Sequence, residues 1–400
     1  MVLNNLLNIT TYLTYILQMD ISIMNKNQLL EKCKELGIVK CSSKNKSQLM
    51  QLIHSKLLTT TLEHTPTFES VTTTLETATT ATTLESNKLR MIDLFAGTGA
   101  FTLAFHETNA VNIVFGNDMV EHSKKIYDSN FNHYLTIKDL NDIKVEEIPS
   151  HDILTGGFPC QPFSIAGLQE GFNDERSNVF WKILSIIDHH QPKCVILENV
   201  KNLVTHDECN TFNTIKNNLE SRGYHICYKV LNTAEITGIP HHRERIYIVC
   251  LKSKNVFDQF NLDFPKIEKK KISNFLETDI QSKYYYTNAS STWNLLKESV
   301  IKKDTIYQYR RVYVRENKSS ECPTLTANMG EGGHNVPIIL DSHGIRKLTP
   351  RECFNFQGFP SSYKLPMLSD SKLYKLAGNA VSVPVVKLIA NRIIPLLKEE

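Results

Sequence analysis

Short apolar segments alternate with amphipathic ones along most of the chain. From residue 88 onward the apolar segments read as strands, and residues 100–106 and 179–189 have apolar positions at helical spacing. Near-continuous apolar strands that alternate with helices predict an α/β fold, with a mostly parallel sheet covered on both faces. The predicted strands are residues 88–95, 111–115, 151–155, 194–197 and 245–249.

The N-terminal part of the chain follows a different pattern. Residues 24–58 predict two short helices, with apolar residues at helical spacing and Gly37 as the end of the first helix. A polar turn leads to Ser47, the predicted N-cap of the second helix. Residues 59–87 include 13 Thr and no amphipathic period, which predicts a flexible linker.

Residues 251–321 interrupt the alternation of strands and helices. They carry 14 Lys and Arg against nine Asp and Glu, whereas the whole chain has a net charge of only +3. Aromatic residues, among them Trp293 and Tyr313, are interleaved with the basic ones. A charged segment is most often a solvated surface, but this combination in an insertion also favours contacts with nucleic acid.

The composition is that of a soluble globular protein, with 41% hydrophobic and 22% charged residues in 400. This length is sufficient for two or three domains. The nine cysteines form no Cys-x-x-Cys pair and no Cys/His cluster, so we expect no metal site and a reducing, intracellular location in cytoplasm or nucleus. No apolar run of about 18 residues occurs, so we expect no membrane span.

A glycine turn follows the first predicted strand. Ala96-Gly97-Thr98-Gly99 leads into the next helix, and Asp118 ends the second predicted strand about 20 residues later. Such a turn lets the backbone approach a ligand, and such an acid binds ribose hydroxyls. Thr102 replaces the third glycine of the dinucleotide pattern, which favours a nucleoside without a pyrophosphate. From these residues alone, a ligand-binding turn and a simple tight connection remain equal alternatives.

The conspicuous residues follow the predicted strands at their carboxyl ends, where ligands bind in parallel sheets. Five segments, in this order, resemble the motifs of the DNA (cytosine-5)-methyltransferase family, and the resemblance spans residues 88–400. These segments are Asp93-Leu94-Phe95-Ala96-Gly97-Thr98-Gly99, Gly157-Phe158-Pro159-Cys160-Gln161-Pro162-Phe163-Ser164, Glu198-Asn199-Val200, Arg243-Glu244-Arg245 and Gly378-Asn379-Ala380-Val381. Gly238-Ile239-Pro240 and Arg346-Lys347-Leu348-Thr349-Pro350-Arg351-Glu352-Cys353 extend it.

The resemblance implies methyl transfer from S-adenosyl-L-methionine to C5 of a cytosine that is flipped out of duplex DNA. Because C5 is a poor nucleophile, a thiolate must first add to C6, and the resemblance gives this role to Cys160. Glu198 is the implied general acid near N3 and the exocyclic amine of the base. Arg243 and Arg245, on one side of a strand, are implied to hold the base and its phosphate.

The same resemblance implies a Rossmann-like fold and a set of ligand contacts. Asp118 is expected to bind the ribose, and Asp139 is expected to bind the adenine amine. Two positions depart from the family pattern: Met119 replaces a common aromatic residue, and Val179 replaces a common leucine. The implied cofactor-binding residues are Phe95, Gly97, Thr98, Gly99, Asp118, Met119, Asp139, Leu140, Pro159, Val179, Asn379 and Ala380. The implied DNA-binding residues are Gln161, Ser164, Thr324 and Leu325.

These observations predict five segments. Residues 24–58 resemble the SAP module, a small DNA-binding unit, with a simple helical hairpin as the alternative, and residues 59–87 are the linker. Residues 88–250 with 370–400 form the predicted catalytic and cofactor-binding domain. Residues 251–345 form a smaller target-recognition domain, and residues 346–369 connect the two.

Two alternative functions remain. A tRNA cytosine-5 methyltransferase of the same family is disfavoured because the recognition region has no Cys-Phe-Thr element. A catalytically silent DNA-binding regulator is disfavoured because Cys160 and Glu198 are both present. His241 and His242 depart from the family pattern and receive no expected role. We expect a monomer that binds duplex DNA, while the recognition sequence and the base that removes the C5 proton stay open.

Overall fold

The structure, a computed structural model, comprises two compact units, Met1–Leu84 and Glu85–Glu400. It describes residues 26–38, 41, 44–46, 48–49, 52–53, 56, 88–159, 178–310, 312–331 and 336–400. The predicted linker and the predicted site residues Cys160, Gln161 and Ser164 lie outside the described residues.

The described residues of the first unit are mainly helical. Helix α1 spans Lys26–Glu35, and the chain leaves it through Gly37, whose φ of 66° suits glycine. The predicted helix and its glycine stop are therefore confirmed. Further helical residues occur between 46 and 56, and both segments contribute to a small apolar core of Leu29, Cys33, Cys41, Leu49 and Ile53.

The second helical segment is capped by Asn45 in place of the predicted Ser47. The side chain of Asn45 accepts a hydrogen bond from the Gln48 amide at 3.0 Å, and the Gln48 side chain accepts one from the Asn45 amide at 3.1 Å. This reciprocal pair is a capping box, with Gln at the third position. Ser47 itself lies outside the described residues.

A seven-stranded sheet forms the centre of the second unit. Its strands are β1 (Leu89–Leu94), β2 (Val111–Asp118), β3 (Leu135–Ile137), β4 (Ile153–Gly157), β5 (Cys194–Val200), β6 (His225–Asn232) and β7 (Glu244–Leu251). Their order in the sheet is β3-β2-β1-β4-β5-β7-β6. The first five of these strands are parallel, and β7 runs antiparallel to both β5 and β6.

Helices cover both faces of this sheet because successive strand residues point to opposite faces and both faces are apolar. Met91 packs in one core and its neighbour Ile92 in the other. The helices of the second unit are α2 (Ala100–His106), α3 (Glu121–Asp128), α4 (Asn178–His190), α5 (Asn210–Glu220), α6 (Thr233–Thr237), α7 (Lys254–Gln259), α8 (Trp293–Ser299), α9 (Pro350–Phe356), α10 (Asp370–Asn379) and α11 (Val383–Lys398).

Different helices pack against the two faces of the sheet. Apolar residues of α2 and α11 pack against the face that contains Met91, and those of α4 and α5 pack against the face that contains Ile92. The predicted α/β class, with a parallel-dominated sheet covered on both faces, is therefore confirmed. Strands β3 and β6 and the antiparallel direction of β7 were not predicted.

A second, antiparallel sheet follows in the chain. It consists of β8 (Tyr307–Arg310), β9 (Tyr313–Glu316), β10 (Ile338–Leu340) and β11 (Ile345–Lys347), in the order β11-β10-β8-β9. Tyr307, Ile338 and Leu296 of α8 share its small apolar core. The domain boundary predicted after residue 345 falls within β11, so the predicted connecting segment begins inside this sheet.

One described stretch, Asp370–Lys398, is long and apolar enough to cross a membrane by length and composition. It consists of α10 and α11, and 61% of its most apolar window is buried inside the fold. Val385, Val386 and Ile389 of α11 belong to the same core as Met91. We interpret the stretch as part of the cover of the sheet.

Candidate active site

A cavity of about 400 Å³ lies at the carboxyl ends of β1, β2, β4 and β5. Strand pairing aligns these ends, since Leu94 lies opposite both Asn117 and Gly156, and Gly157 lies opposite Glu198. Many of the predicted site residues line this one cavity. They are Phe95, Gly97, Thr98, Asp118, Met119, Pro159, Glu198, Arg243, Arg245, Asn379 and Ala380.

The turn between β1 and α2 has an unusual backbone. Phe95, Gly97 and Gly99 have φ values of 55°, 53° and 68°, and for Phe95 this left-handed conformation is strained. A Cβ atom on Gly99 would lie 2.4 Å from the ring of Phe131 and 2.9 Å from the ring of Tyr127. A side chain at position 99 would therefore collide with these aromatic rings. Gly97 lines the cavity, whereas Gly99 does not.

Asp118, at the end of β2, is held by the backbone of this turn. Its Oδ2 atom accepts a hydrogen bond from the Gly97 amide and its Oδ1 atom one from the Val120 amide, both at 2.8 Å. Burial raises the pKa of this carboxyl, and the two amides partly offset that effect. A carboxylate oxygen has two lone pairs, so Asp118 can still accept hydrogen bonds from a ligand hydroxyl.

A chain of hydrogen-bonded side chains, most of them buried, links residues on either side of this turn. Asp93 accepts hydrogen bonds from Thr102 Oγ1 at 2.8 Å and from Thr155 Oγ1 at 2.9 Å. Thr102 Oγ1 also contacts Tyr127 Oη at 2.9 Å, and Tyr127 Oη contacts His133 Nε2 at 2.6 Å. Burial raises the pKa of Asp93 to about 6 and lowers that of His133 to about 4. From the sequence, Thr102 was recognisable only as a replacement for the third glycine of the dinucleotide pattern. Its hydrogen bonds were not predicted.

Glu198 lies within the cavity close to two arginines. The Arg245 Nε atom is 3.2 Å from Glu198 Oε1, but the N–H bond does not point along this contact. Oε1 is thus a buried acceptor that receives no hydrogen bond from the described part of the chain. Burial raises the pKa of Glu198, and the positive charges of Arg245 and Arg243 oppose this rise.

Arg243 is fixed by carbonyl groups from two distant segments. Its Nη2 atom donates to the Ala380 carbonyl at 2.7 Å, and its Nη1 atom is 3.3 Å from the Leu325 carbonyl and 3.4 Å from that of Gly378. Burial, with the nearby charge of Arg245, lowers its pKa to about 10, so the guanidinium remains charged at neutral pH. A Cβ on Gly378 would lie 2.1 Å from the Thr326 carbonyl oxygen, so glycine permits this close approach.

The loop after β4 is attached to the end of β5. The Asn199 Nδ2 atom donates a hydrogen bond to the Phe158 carbonyl at 3.0 Å, and both residues are buried. Pro159 follows and lines the cavity. The next residue in sequence is Cys160, which lies outside the described residues together with Gln161 and Ser164.

The remaining predicted ligand-binding residues lie away from the cavity lining. Asp139 caps the short turn after β3 by accepting a hydrogen bond from the Asn141 amide at 2.9 Å. Leu140 is buried in the core that contains Ile92, and Val179 packs against that core half-buried. Leu325 is buried beside Arg243, and Thr324 lines a second cavity.

His241 has a structural role that the sequence did not reveal. It is fully buried, its Nδ1 atom lies 3.0 Å from the Phe356 carbonyl, and its Nε2 atom lies 3.4 Å from the Leu325 amide. A tautomer protonated at Nδ1 satisfies both contacts. Burial and the charge of Arg243 keep its pKa well below the usual histidine value, so the ring is neutral.

The described residues contain no group of three or more His, Cys, Asp and Glu side chains that could hold a metal ion. The eight cysteines among them form no disulfide with one another, and burial raises the pKa of several, including Cys194 and Cys322. These buried thiols are poor nucleophiles.

Known proteins resemble the chain over most of its length. Type II methyltransferase M.Bsp6I from Bacillus sp. (strain RFL6) is 48% identical over 309 residues, which cover 76% of this chain and 98% of that protein. Type II methyltransferase M.HhaI from Haemophilus parahaemolyticus is 34% identical, covering 76% and 94% of the respective chains.

Solved structures share the fold at lower identity. The S. pombe Dnmt2 methyltransferase superposes with a TM-score of 0.59 at 22% identity, covering 77% of this chain and 99% of that one. A Spodoptera frugiperda DNMT2 mutant superposes with a TM-score of 0.62 at 20% identity, covering 76% and 99%. The sequence profile of the C-5 cytosine-specific DNA methylases matches residues 89–395. This chain belongs to the C-5 cytosine-specific DNA methylase family.

Proposed function

We propose that this enzyme methylates C5 of a cytosine that is flipped out of duplex DNA, with S-adenosyl-L-methionine as methyl donor and Cys160 as nucleophile. The observation that carries the proposal is the buried Oε1 atom of Glu198, which accepts no hydrogen bond from the described residues. It lies in the same cavity as Arg243, Arg245 and Pro159, the residue before Cys160. A buried carboxyl with a free acceptor is suited to a polar partner from a substrate.

The residues around β1 and β2 fit S-adenosyl-L-methionine. Asp118 has lone pairs for the ribose hydroxyls, and Phe95 and Met119 provide apolar surface for the adenine. Asn379 and Ala380 also line the cavity. We place the methionine part of the cofactor near these two residues. When bound, the cofactor supplies a methyl group on a positively charged sulfur. Gly99, Asp139, Leu140 and Val179 lie outside the lining of the cavity, and we propose them as further cofactor contacts on the family resemblance alone.

Cys160 would begin the reaction as a thiolate. Its sulfur forms a bond to C6 of cytosine, and the electron pair of the C5–C6 double bond moves to C5 and into the ring. C5 then takes the methyl group. Loss of the C5 proton and departure of the Cys160 thiolate restore the double bond, so the net products are methylated cytosine, the demethylated cofactor and one proton. We assign removal of the C5 proton to a water molecule.

Glu198 would control the charge of the ring during the attack. Burial raises its pKa, so it holds a proton more readily than an exposed glutamate and can share it with N3 as electrons enter the ring. Arg245, beside Glu198, and Arg243, fixed by carbonyl groups, would hold the base and its phosphate. The fixed arginine charges would also stabilise negative charge as it develops.

The remaining segments would bind and position DNA. We assign target recognition to residues 251–345, with Thr324 and Leu325 beside the cavity and Gln161 and Ser164 in the loop of Cys160. Residues 88–250 with 370–400 would form the catalytic domain, joined to this domain by residues 346–369. We propose that residues 24–58 act as a SAP-like DNA-binding module, tethered by residues 59–87. The enzyme would act as a monomer inside the cell, without a metal.

Methyl transfer to duplex DNA and to tRNA, measured in parallel, tests the function. The full chain should transfer radiolabelled methyl groups from S-adenosyl-L-methionine to duplex DNA, and the product should be 5-methylcytosine. Preference for tRNA would support the related RNA-modifying alternative. Binding of DNA without any transfer, under conditions in which the cofactor also binds, would support a silent regulator.

A further inference from the structure

The β8–β9 hairpin has one polar face whose Arg310, Tyr313 and Arg315 side chains are exposed among the described residues. Gln308 pairs with Arg315 and Arg310 with Tyr313, so these four side chains share one face of the two-stranded ribbon. Arg310, Tyr313 and Arg315 are exposed, and Tyr313 retains 54% of its surface. This face therefore combines two positive charges, an amide and an aromatic ring, with no carboxylate.

The opposite face of the hairpin explains why the ribbon is stable. Tyr307, Tyr309 and Val314 pack into the apolar core of the second sheet. Glu316, the acidic residue of β9, lies on this opposite face and pairs with Lys302 at 2.9 Å. The inward face thus anchors the ribbon, and the outward face is free for a ligand.

The outward face borders a second cavity of about 870 Å³. Gln308, Arg310 and Arg315 form one side of it, and Thr324, Thr326 and Asn328 belong to the rest of the lining. Two carboxylates also line the cavity, and each has a cationic partner. Glu321 contacts Lys269 at 2.9 Å and His242 at 3.2 Å, and Glu235 contacts Lys266 at 2.8 Å.

The second cavity directly adjoins the candidate active site. His242 lines the second cavity and the next residue, Arg243, lines the first. Thr324 also lines the second cavity and donates to the His242 carbonyl at 2.6 Å, while the Leu325 carbonyl accepts from Arg243. The wall between the cavities is therefore these two short segments. DNA that places a flipped cytosine in the first cavity would present neighbouring base pairs to the second.

We propose that Arg315 reads a guanine in a base pair that flanks the target cytosine. Arg315 is exposed, and its side chain makes no hydrogen bond or ion pair within the described ranges, whereas the side chain of Arg310 donates to Gln308 Oε1 at 2.9 Å. A two-stranded ribbon fits the major groove, and a free guanidinium matches the O6 and N7 acceptors of guanine. The inference rests on the proposed function, and it adds the residue and the base that set part of the specificity.

The test uses the full chain and a pool of duplexes with randomised bases around one cytosine. Methylated products are read by bisulfite sequencing for the wild type, Arg315→Ala, Arg315→Lys and the exposed control Lys303→Ala. The wild type should require guanine at one flanking position. Arg315→Ala should weaken that requirement about 5- to 100-fold and leave the other positions unchanged. Arg315→Lys should also weaken it, because lysine lacks the planar fork. Lys303→Ala should keep the wild-type preference.

Each outcome has a distinct meaning. If the wild type methylates no duplex, the proposed function fails. If the wild type is active and Arg315→Ala keeps the full preference, or loses activity equally on every sequence, the guanine-reading role is wrong. Equal loss on every sequence would instead assign Arg315 to a phosphate. Thermal unfolding and cofactor binding should match the wild type in both Arg315 variants, and Arg315→Lys alone carries the test if the alanine variant does not fold.

Discussion

The Arg245 Nε atom lies 3.2 Å from Glu198 Oε1, yet this oxygen accepts no hydrogen bond from any described residue. The contact places positive charge beside a buried carboxyl while leaving one oxygen free for a substrate. Glu198→Gln keeps the size of the side chain and removes its acidic proton. The turnover rate kcat for methyl transfer should fall about 100- to 10,000-fold.

Glu220→Gln is a suitable control for this change, because Glu220 is exposed on α5 and its one ion pair among the described residues is with Lys216 at 3.6 Å. It should retain wild-type activity. A Glu198→Gln enzyme with a wild-type rate would remove Glu198 from the mechanism.

Asp93 should make stability depend on pH. Burial raises its pKa to about 6, so between about pH 4 and pH 6 the folded protein keeps a proton that the unfolded chain has lost. This contribution to the free energy of unfolding therefore falls as pH rises through that window. At about 1.4 kcal/mol per pKa unit, it amounts to some 3 kcal/mol.

Urea unfolding at several pH values checks this dependence. Asp93→Asn should flatten the pH slope between pH 4 and 6, whereas Asn in place of the exposed Asp142 should leave it unchanged. An identical slope in wild type and Asp93→Asn would show that the buried carboxyl does not titrate in this range.

Asn199 should position the loop that leads to Cys160, since its side chain donates to the Phe158 carbonyl. Asn199→Ala should lower kcat about 10- to 100-fold because a reacting group displaced by about 1 Å loses that much. Its dissociation constant for S-adenosyl-L-methionine, measured by calorimetry, should stay near the wild-type value. Asn199→Asp keeps the shape but loses the donor, and at pH 8 it should lose kcat similarly. Full activity in Asn199→Asp would contradict this positioning role.

Arg346 should stabilise the region that joins the two sheets. It is fully buried, its two Nη atoms donate to Glu352 at 2.8 and 2.7 Å, and its Nε atom donates to Asp341 at 2.6 Å. Arg346→Met leaves both carboxylates without their partner and should lower the free energy of unfolding by about 3–5 kcal/mol. The exposed Lys364→Met should change it by less than about 0.5 kcal/mol. Equal unfolding midpoints in urea would contradict this.

The sequence predicted the features that depend on local apolar pattern. The central strands are apolar on both faces, so β1, β4 and β5 were recognisable, and α2 has the predicted bounds. Strand β6 was missed because its residues are mostly half-buried or exposed. The direction of β7 could not be predicted, because a strand that is buried on both faces has the same pattern in either direction.

Side-chain partners were less predictable, because they depend on tertiary contacts. Gly99 is a predicted cofactor contact, and the sequence did not reveal that the rings of Phe131 and Tyr127 occupy its Cβ position. His241 looked like a tolerated departure, but it bonds to residues 84 and 115 positions away. The lining of one cavity by Asp118 and Glu198 could be anticipated, because the carboxyl ends of parallel strands meet at one edge. Arg243 precedes β7 and reaches the same edge because β7 runs antiparallel to β5.

In the proposed mechanism Cys160 attacks the cytosine, and trapping the covalent adduct would reveal this bond. A duplex with 5-fluorocytosine at the target position prevents completion, because fluorine cannot leave C5 as a proton does. With S-adenosyl-L-methionine present, the full chain should form a stable protein–DNA complex, and mass spectrometry should locate the nucleotide on Cys160. Cys160→Ser should form no such complex. An adduct on another residue, or undiminished methylation by Cys160→Ser, would contradict the account.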